Sequence, residues 1–290
     1  MSNVGIIGVG VMGGAAAEKI SQAGYKLWLY DVSPKLPALA AELEGVVVRR
    51  LDEIAAHCQI VLMFLPGPDQ VKACVTGPDG LLTQRKNSLD IVDLSTVDPG
   101  STERMAKAAA SAGMAYLDAP VLGRPSAVGN WALPVGGDAH ALERCRPVLQ
   151  LVARKIMHIG PCGSGNKIKL LNQMMFGAIN AMTAEMMAVA DNMGIAPKML
   201  YETIAASQAG TVSNLFKELG LRIAADKFNH PTFSVDLLIK DVQLAIEMAR
   251  QSGAAPILAE TVEYLNRLAG SQGMGGLDTA VMWKCLRKLI

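Results

Sequence analysis

Two patterns of hydrophobic and polar residues follow one another along the chain, with a change near residue 163. Up to there, short runs of β-branched and aliphatic residues alternate with stretches whose apolar residues recur at helical spacing. This alternation predicts a doubly wound parallel sheet with helices on both faces. The predicted strands are Val4–Ile7, Leu27–Tyr30, Val46–Val48, Ile60–Phe64, Ile91–Leu94, Tyr116–Leu117 and Lys155–Ile159, and the predicted helices include Met12–Ala23, Leu36–Leu43, Ser101–Ala112 and Ala139–Leu149.

After Gly163-Ser164-Gly165 the pattern changes to one long helix, from about Asn166 to Asn192, which would span on the order of 40 Å. Gly194 and Pro197 end it. The pattern contains no convincing strand beyond this point. The sequence therefore predicts a Rossmann-type α/β domain at residues 1–163 and an all-α domain at residues 164–290, joined by the long helix. The further predicted helices are Pro197–Ser207, Val212–Asp226, Val235–Ser252 and Ile257–Leu268.

Composition excludes several classes of function. The 290 residues are 51% hydrophobic, which is enough for two cores, and no apolar run is long enough to span a membrane. The 27 Lys and Arg residues are balanced by 26 Asp and Glu residues, so no overall field attracts nucleic acid or an anionic membrane. Five cysteines without a CxxC pair or metal-ligand spacing predict a reducing, cytoplasmic compartment, with neither disulfides nor a metal site.

The first predicted strand is followed at once by Gly8-Val9-Gly10-Val11-Met12-Gly13. Glycines at this spacing let the backbone turn sharply and approach a pyrophosphate, whose charge the helix N-terminal amides bind. Asp31 ends the second strand, where a carboxylate accepts hydrogen bonds from the ribose hydroxyls of NAD and repels the 2′-phosphate of NADP. The pattern predicts NAD as cofactor, and Lys35 nearby leaves NADP possible. The alternative is a turn without a ligand, with Asp31 capping the next helix.

Two loops follow later strands, at the edge where ligands of doubly wound sheets bind. They are Leu65-Pro66-Gly67-Pro68 and Asp93-Leu94-Ser95-Thr96. We expect them to reach the ribose and nicotinamide. Pro and Gly punctuate most loops, so ordinary turn chemistry accounts for each loop equally well.

Lys169 lies near the start of the long helix, with Asn172 and Gln173 three and four residues later. That spacing places an amine and two amides on one helix face, where they can converge on a ligand. A lysine at the positive end of the helix dipole is disfavoured, which indicates a role beyond solubility. On spacing alone, however, a solvated lysine is the favoured alternative.

Taken in this order, the motifs resemble the β-hydroxyacid dehydrogenase family, which includes 3-hydroxyisobutyrate dehydrogenase and is related to 6-phosphogluconate dehydrogenase. Asp118-Ala119-Pro120-Val121 and the run from Gly163 to Gln173 belong to the resemblance, which covers essentially the whole chain through Phe233–Asp241 to Gly276-Leu277-Asp278. It implies an NAD(P)-dependent dehydrogenase that oxidises a small β-hydroxyacid to its semialdehyde, or reduces the semialdehyde. It also implies a homodimer or homotetramer.

The resemblance implies roles for single residues. Lys169 matches the family's catalytic lysine, which protonates the carbonyl oxygen during reduction and takes the hydroxyl proton during oxidation. Asn172 and Gln173 accompany it in the catalytic motif. The positions that match cofactor-binding residues of the family are Gly8, Gly10, Val11, Met12, Gly13, Asp31, Leu65, Pro66 and Thr96, and Lys240 in the helical domain.

The chain departs from the family where the substrate is held. Ser-Gly-Gly usually follows Asp-Ala-Pro-Val and binds the substrate carboxylate, whereas this chain has Leu122-Gly123-Arg124, and Gln173 stands where a substrate-orienting Asn is common. We predict that Leu122, Gly123, Arg124, Asn172 and Gln173 bind substrate, with Arg124 holding the carboxylate by a bidentate contact. Alternatively, Arg124 faces solvent and Leu122 only makes the pocket more apolar.

Two further hypotheses stay open at this point. An imine reductase has a similar architecture, and Leu122 would suit its non-carboxylate substrate, although such enzymes generally replace the lysine found here at Lys169. A catalytically silent dinucleotide-binding scaffold is the third hypothesis, and Lys169 and Lys240 count against it. Cys162 and His158 are interpreted as structural, because no local acid completes a triad with them.

Overall fold

Successive side chains of a strand point to opposite faces of its sheet, and in this chain both faces are buried. Ile6 belongs to one hydrophobic cluster and Ile7 to a second, and Val92 and Ile91 divide in the same way. These observations come from a computed structural model that describes residues 3–83, 89–207 and 213–288. The strands are β1 (Asn3–Ile7), β2 (Lys26–Tyr30), β3 (Val46–Val47), β4 (Ile60–Met63), β5 (Asp90–Asp93), β6 (Ala115–Asp118), β7 (Trp131–Gly136) and β8 (Ala153–Gly160).

Helices cover each face of the sheet. Ala16, Leu36 and Leu142 bring three of them into the first cluster, and Ile54 and Met105 bring two others into the second. The predicted doubly wound architecture is confirmed. The helices of this part are α1 (Val11–Gln22), α2 (Leu36–Glu42), α3 (Leu51–His57), α4 (Pro68–Thr76), α5 (Pro99–Ser111) and α6 (Ala139–Val152).

The sheet has the strand order β3-β2-β1-β4-β5-β6-β7-β8. Neighbouring strands from β3 to β6 are parallel, as predicted. Strand β7, which is absent from the predicted strands, pairs antiparallel with β6 through Asp118 and Gly136 and parallel with β8. Pro134 lies inside this strand and lacks a backbone donor, which weakens its strand signature.

The chain forms two compact units, Met1–Lys169 and Leu170–Ile290. Among the described residues of the second unit the elements are helical, with one isolated bridge between Ser234 and Asp278, so the predicted all-α part is confirmed. The exact domain boundary at residues 163 and 164 stays a prediction. The helices are α7 (Ser164–Asn192), which begins in the first unit, α8 (Pro197–Ala206), α9 (Asn214–Ala224), α10 (Val235–Gln251), α11 (Ile257–Ala269) and α12 (Met282–Leu286).

The second unit has its own core. Met187, Phe216, Val235 and Met282 are almost completely buried in one cluster, which joins α7, α9, α10 and α12. Val212, the predicted first residue of the α9 segment, lies outside the described residues. Within the described ranges, none of the helices is both long enough and apolar enough to cross a membrane.

Candidate active site

The glycine-rich turn between β1 and α1 contains two kinds of glycine. A Cβ atom at Gly8 (φ 87°) would collide with the carbonyl oxygen of Phe64, and one at Gly13 would collide with the carbonyl oxygen of Gly8. These two glycines let the backbone segments touch. A Cβ atom at Gly10 would meet no atom within 4 Å, and Gly10 is the N-cap of α1 without any side-chain cap. Open space in front of uncapped amides fits a pyrophosphate.

Two backbone N–H groups hold Asp31, one in the glycine-rich turn and one shortly after β2. Its Oδ2 accepts a hydrogen bond from Val9 N at 2.5 Å, and its Oδ1 accepts one from Ser33 N at 2.8 Å. The alternative in which Asp31 caps the next helix is not observed, because the N-cap of α2 is Lys35. The carboxylate is half-buried and keeps acceptor capacity for ribose hydroxyls. In α1, Val11 is 63% exposed at the first position, whereas Met12 packs against the first hydrophobic cluster.

The two predicted loops after β4 and β5 contact each other. Leu65 N donates to Ser95 Oγ at 2.9 Å, and Ser95 N donates to Asp93 Oδ1 at 2.9 Å. Asp93 also accepts a hydrogen bond from the buried Tyr116 hydroxyl at 2.7 Å. Pro66 is exposed and Thr96 is half-buried. The loops therefore form one hydrogen-bonded edge at the carboxyl ends of the strands, where a ligand of this fold binds.

Asp118, at the end of β6, holds the beginning of α7. It is fully buried, and its Oδ1 and Oδ2 accept hydrogen bonds from Gly163 N and Asn166 N, both at 2.8 Å. Burial raises the pKa of Asp118 to about 6, although both N–H donors favour the charged form. From the sequence, Asp118 was only part of the Asp-Ala-Pro-Val motif, with no role predicted for it. The available sequence signal was an acid at the end of a predicted strand, in a chain with Gly-Ser-Gly before a long helix.

Lys169 reaches the loop that follows β6. Its Nζ donates to the carbonyl oxygen of Val121 at 3.0 Å, one residue before Leu122, and the side chain is half-buried. The fully solvated lysine favoured by spacing alone is therefore not what the structure contains. Lys167, on the same helix, is exposed and lies 3.8 Å from Glu103. The two lysines have different surroundings although they are two residues apart.

The loop from Leu122 to Arg124 is fixed through its backbone. Leu122 and Ala132 exchange both backbone hydrogen bonds, at 2.9 and 3.1 Å. The indole N–H of the fully buried Trp131 donates to the carbonyl oxygen of Arg124 at 2.7 Å, and a Cβ atom at Gly123 would collide with the same indole ring. Leu122 and Arg124 are half-buried. Backbone hydrogen bonds and the Trp131 contacts thus fix the path of the loop.

The predicted site residues of the second unit belong to one network of hydrogen-bonded side chains. Gln173 Nε2 donates to Asp241 Oδ2 at 2.6 Å, and Lys240 Nζ lies 2.7 Å from Asp241 Oδ1. Asn172 Nδ2 is 3.4 Å from Gln173 Oε1. Gln173 and Asp241 are each 3% exposed. Asp241, the acceptor that connects Lys240 to Gln173, was not among the predicted site residues, and its sequence signal was the adjacent Lys-Asp pair.

Cys162 and His158, which could suggest nucleophilic catalysis, are both hydrogen-bonded to backbone carbonyl oxygens. The Cys162 thiol donates to the carbonyl oxygen of Tyr116 at 3.0 Å, and burial raises its pKa to about 12, which leaves little thiolate to act as a nucleophile. His158 Nε2 is hydrogen-bonded to the carbonyl oxygen of Gly137 at 2.7 Å. The part of the chain that the structure describes contains no group of three or more His, Cys, Asp or Glu side chains placed to hold a metal ion.

Comparison with known proteins identifies relatives over the whole chain. Residues 3–160 match the NAD binding domain of 6-phosphogluconate dehydrogenase, and residues 163–286 match the family described as NAD-binding of NADP-dependent 3-hydroxyisobutyrate dehydrogenase. A 3-hydroxyisobutyrate dehydrogenase of Pseudomonas aeruginosa is 32% identical over 99% of this chain and 99% of its own length. An L-threonate dehydrogenase of Cupriavidus necator is 30% identical over 97% of this chain and 95% of its own.

A solved structure shows the same fold. The 3-hydroxyisobutyrate dehydrogenase from Salmonella typhimurium is 26% identical to this chain and gives a TM-score of 0.90. The match covers 98% of this chain and 99% of the other. Sequence and fold comparisons therefore agree over nearly the full length of the chain.

The glycine-rich turn gives a paired test. We expect Gly10→Ala to fold normally and to bind NADH at least about tenfold more weakly, a loss of about 1.4 kcal/mol, because its methyl group occupies the space before the α1 amides. We expect Gly13→Ala to lower the free energy of unfolding by about 1–3 kcal/mol through backbone collision. Urea denaturation and NADH titration measure the two effects. Unchanged NADH affinity in Gly10→Ala would contradict the phosphate-binding role of this turn.

Proposed function

Because this chain belongs to the β-hydroxyacid dehydrogenase family of NAD(P)-dependent dehydrogenases that act on CH–OH groups, we propose that it interconverts a 3-hydroxyisobutyrate-like β-hydroxyacid and its semialdehyde. Lys169 is the general acid and base of this proposal. The observation that carries it is the contact of Lys169 Nζ with the carbonyl oxygen of Val121, which holds the amine beside the loop from Leu122 to Arg124.

The proposed task of Lys169 is proton transfer. As an amine it takes the proton of the substrate hydroxyl during oxidation, and as an ammonium it returns a proton to the carbonyl oxygen during reduction. The carbonyl oxygen of Val121 accepts one N–H of the ammonium group, and the substrate loop begins at the next residue, Leu122.

The cofactor supplies hydride transfer at its nicotinamide ring when bound. Gly10 and the first amides of α1 are proposed to hold the pyrophosphate, and Asp31 the ribose hydroxyls. We propose NAD rather than NADP as the preferred form, because two backbone N–H groups fix Asp31 in place and its charge repels a 2′-phosphate. Leu65, Pro66 and Thr96 are proposed to line the nicotinamide half, and Lys240 to contribute from the helical unit.

Arg124 is the proposed anchor for the substrate carboxylate. Leu122 has no hydroxyl to donate, whereas a guanidinium matches a carboxylate with two parallel N–H groups. The fixed backbone around Gly123 keeps this side chain on a defined loop. Because Gln173 Nε2 donates a hydrogen bond to Asp241, we propose that Asn172 contacts the substrate directly and that Gln173 orients Asn172.

A non-carboxylate substrate, as in an imine reductase, is the second candidate. The observation that favours it is Leu122, which replaces the family's hydroxyl with an apolar side chain. The half-buried Lys169 weighs against this candidate and against a silent scaffold, since neither function needs an amine held beside the substrate loop. Substrates with and without a carboxylate distinguish the first two candidates directly.

The free cysteines bear on the compartment. All five are free thiols, and Cys58, Cys145 and Cys285 are buried. Proteins without disulfides are typical of reducing compartments. We therefore propose a cytoplasmic location.

Replacement of Lys169 tests the proposed chemistry. We expect Lys169→Ala to lower kcat by about 10²–10⁴-fold, because general acid–base catalysis is lost, and to leave NADH affinity largely unchanged. Lys167→Ala is the matched control, since Lys167 is an exposed lysine of the same helix, and it should turn over like the wild type. NADH absorbance measures turnover. A kcat near the wild-type value in Lys169→Ala would refute the proposed role.

Replacement of Arg124 tests the carboxylate anchor. Charge-assisted hydrogen bonds contribute about 1.5–3 kcal/mol, so Arg124→Ala should raise the KM of an acidic substrate by about 10–100-fold. Arg124→Lys should recover only part of the loss, because it keeps the charge without the bidentate geometry. Arg154→Ala, at an exposed position of β8, is the control. If the KM of every acidic substrate is unchanged in Arg124→Ala, the carboxylate is bound elsewhere.

We also propose that the chain forms a homodimer or homotetramer. Met175, Met182, Met193 and Met199 are each 63–72% exposed in the helical part, and Leu258 is 76% exposed. Exposed apolar surface of this extent marks association surfaces. Light scattering at micromolar concentration should give a dimer or tetramer mass, and a monomer would contradict the proposal.

A further inference from the structure

A buried carboxylate lies at the start of the helix that carries Lys169, and the proposed chemistry does not use it. Asp118 accepts hydrogen bonds from Gly163 N and Asn166 N, and α7 begins at Ser164. The first N–H groups of a helix have no partner inside the helix. A carboxylate placed there satisfies two donors and is favoured by the positive end of the helix dipole. Asp118 therefore caps α7 from a distant strand.

The same stretch of chain holds α7 at a second point. Asp118 binds the first turn of the helix, and Val121, three residues later, accepts the hydrogen bond of Lys169. A helix is stiff over so short a length, so fixing its start sets where Lys169 lies relative to Val121. The substrate loop begins at the next residue, Leu122. The position of the amine relative to that loop thus depends on the cap.

The first turn of α7 is also hydrogen-bonded to the loop that contains Thr96. Asn166 is fully buried, and its Oδ1 accepts a hydrogen bond from Val97 N at 3.2 Å while its Nδ2 donates to Thr102 Oγ1 at 3.2 Å. Its backbone N–H is the one that Asp118 accepts. Asp118 and Asn166 together connect the lysine helix with a proposed cofactor loop.

The backbone approaches this carboxylate and the first turn of α7 closely. A Cβ atom at Gly136 would collide with Asp118 Oδ1, and one at Gly165 would collide with the carbonyl oxygen of Pro134. The backbone of β7 therefore contacts the Asp118 carboxylate at Gly136 and the first turn of α7 at Pro134. These close contacts leave the geometry of the cap little freedom to adjust.

We propose that Asp118 is a positioning residue for Lys169, acting through the first turn of α7. The proposal rests on the proposed proton-transfer role of Lys169. An acid that served only stability would change the free energy of unfolding without changing kcat of the folded enzyme. A positioning acid lowers kcat, because a misplacement of the amine by about 1 Å costs on the order of 10²-fold in rate.

The test is Asp118→Asn, which keeps the size of the side chain but sets an NH₂ group against one of the two backbone donors. We expect kcat to fall about 10²-fold, with smaller changes in KM and in NADH affinity. We also expect faster hydrogen exchange at residues 163–169 in the protein without cofactor, measured by mass spectrometry. Asp118→Ser removes one acceptor without setting an NH₂ group against a backbone donor, so its kcat should lie between the wild-type value and that of Asp118→Asn. It also provides a folded variant if the asparagine does not fit.

Asp90→Asn is the matched control. Asp90 is also a buried carboxylate, 4% exposed, and it begins β5, where Arg144 binds it with N–O distances of 2.8 and 2.6 Å. We expect this variant to lose stability while kcat stays near the wild-type value. The inference is overturned if Asp118→Asn and Asp118→Ser lose no more kcat than Asp90→Asn, or if exchange at residues 163–169 is unchanged.

The two proposals fail in different ways. Wild-type turnover in Lys169→Ala refutes the proposed function, and the positioning role is refuted with it. An inactive Lys169→Ala together with fully active Asp118 variants refutes the positioning role alone. Inactivity of Lys169→Ala with a graded loss of kcat from Asp118→Ser to Asp118→Asn supports both.

Discussion

The N-terminal amides of a helix need an acceptor, and this chain meets that need in two opposite ways. At α7, the carboxylate of Asp118 takes the hydrogen bonds of Gly163 and Asn166 inside the protein. At α1, the N-cap is Gly10, which offers no side chain and leaves the space before the helix open. At α7 the acceptor is a side chain of the protein, and the capped helix carries Lys169. At α1 the amides are open to an anion, which suits the phosphates of a dinucleotide.

The loop that follows Asp118 separates fixed backbone from variable side chains. Trp131 holds the carbonyl oxygen of Arg124 and packs against Gly123, so the path of the chain does not depend on a serine at position 122. The proposed exchange of a hydroxyl for the Arg124 guanidinium as carboxylate anchor therefore leaves the backbone of the loop in place. Under the proposed function, these two side chains set substrate specificity, while Lys169 keeps its contact with Val121 beside the loop.

The sequence predicts most of this fold because its signals are local. The glycine spacing from Gly8 to Gly13 and the helical periodicity of α7 each lie within one element. The contacts that define the site are not local: Asp118 accepts from a residue 45 positions away, and Gln173 donates to Asp241 across 68 positions. Pairings at such distances leave no spacing pattern. Pro134 weakens the strand pattern of β7, so neither this strand nor its antiparallel pairing with β6 at Asp118 was predicted from the sequence.

We propose above all that this chain oxidises a small β-hydroxyacid with NAD, or reduces the semialdehyde. A panel of C3 to C6 hydroxyacids and semialdehydes, assayed by nicotinamide absorbance with NAD and NADP in parallel, tests it most directly. The account predicts turnover of at least one β-hydroxyacid pair, with a higher kcat/KM for NAD than for NADP. NADH binding without turnover of any hydroxyacid or semialdehyde in the panel would contradict it.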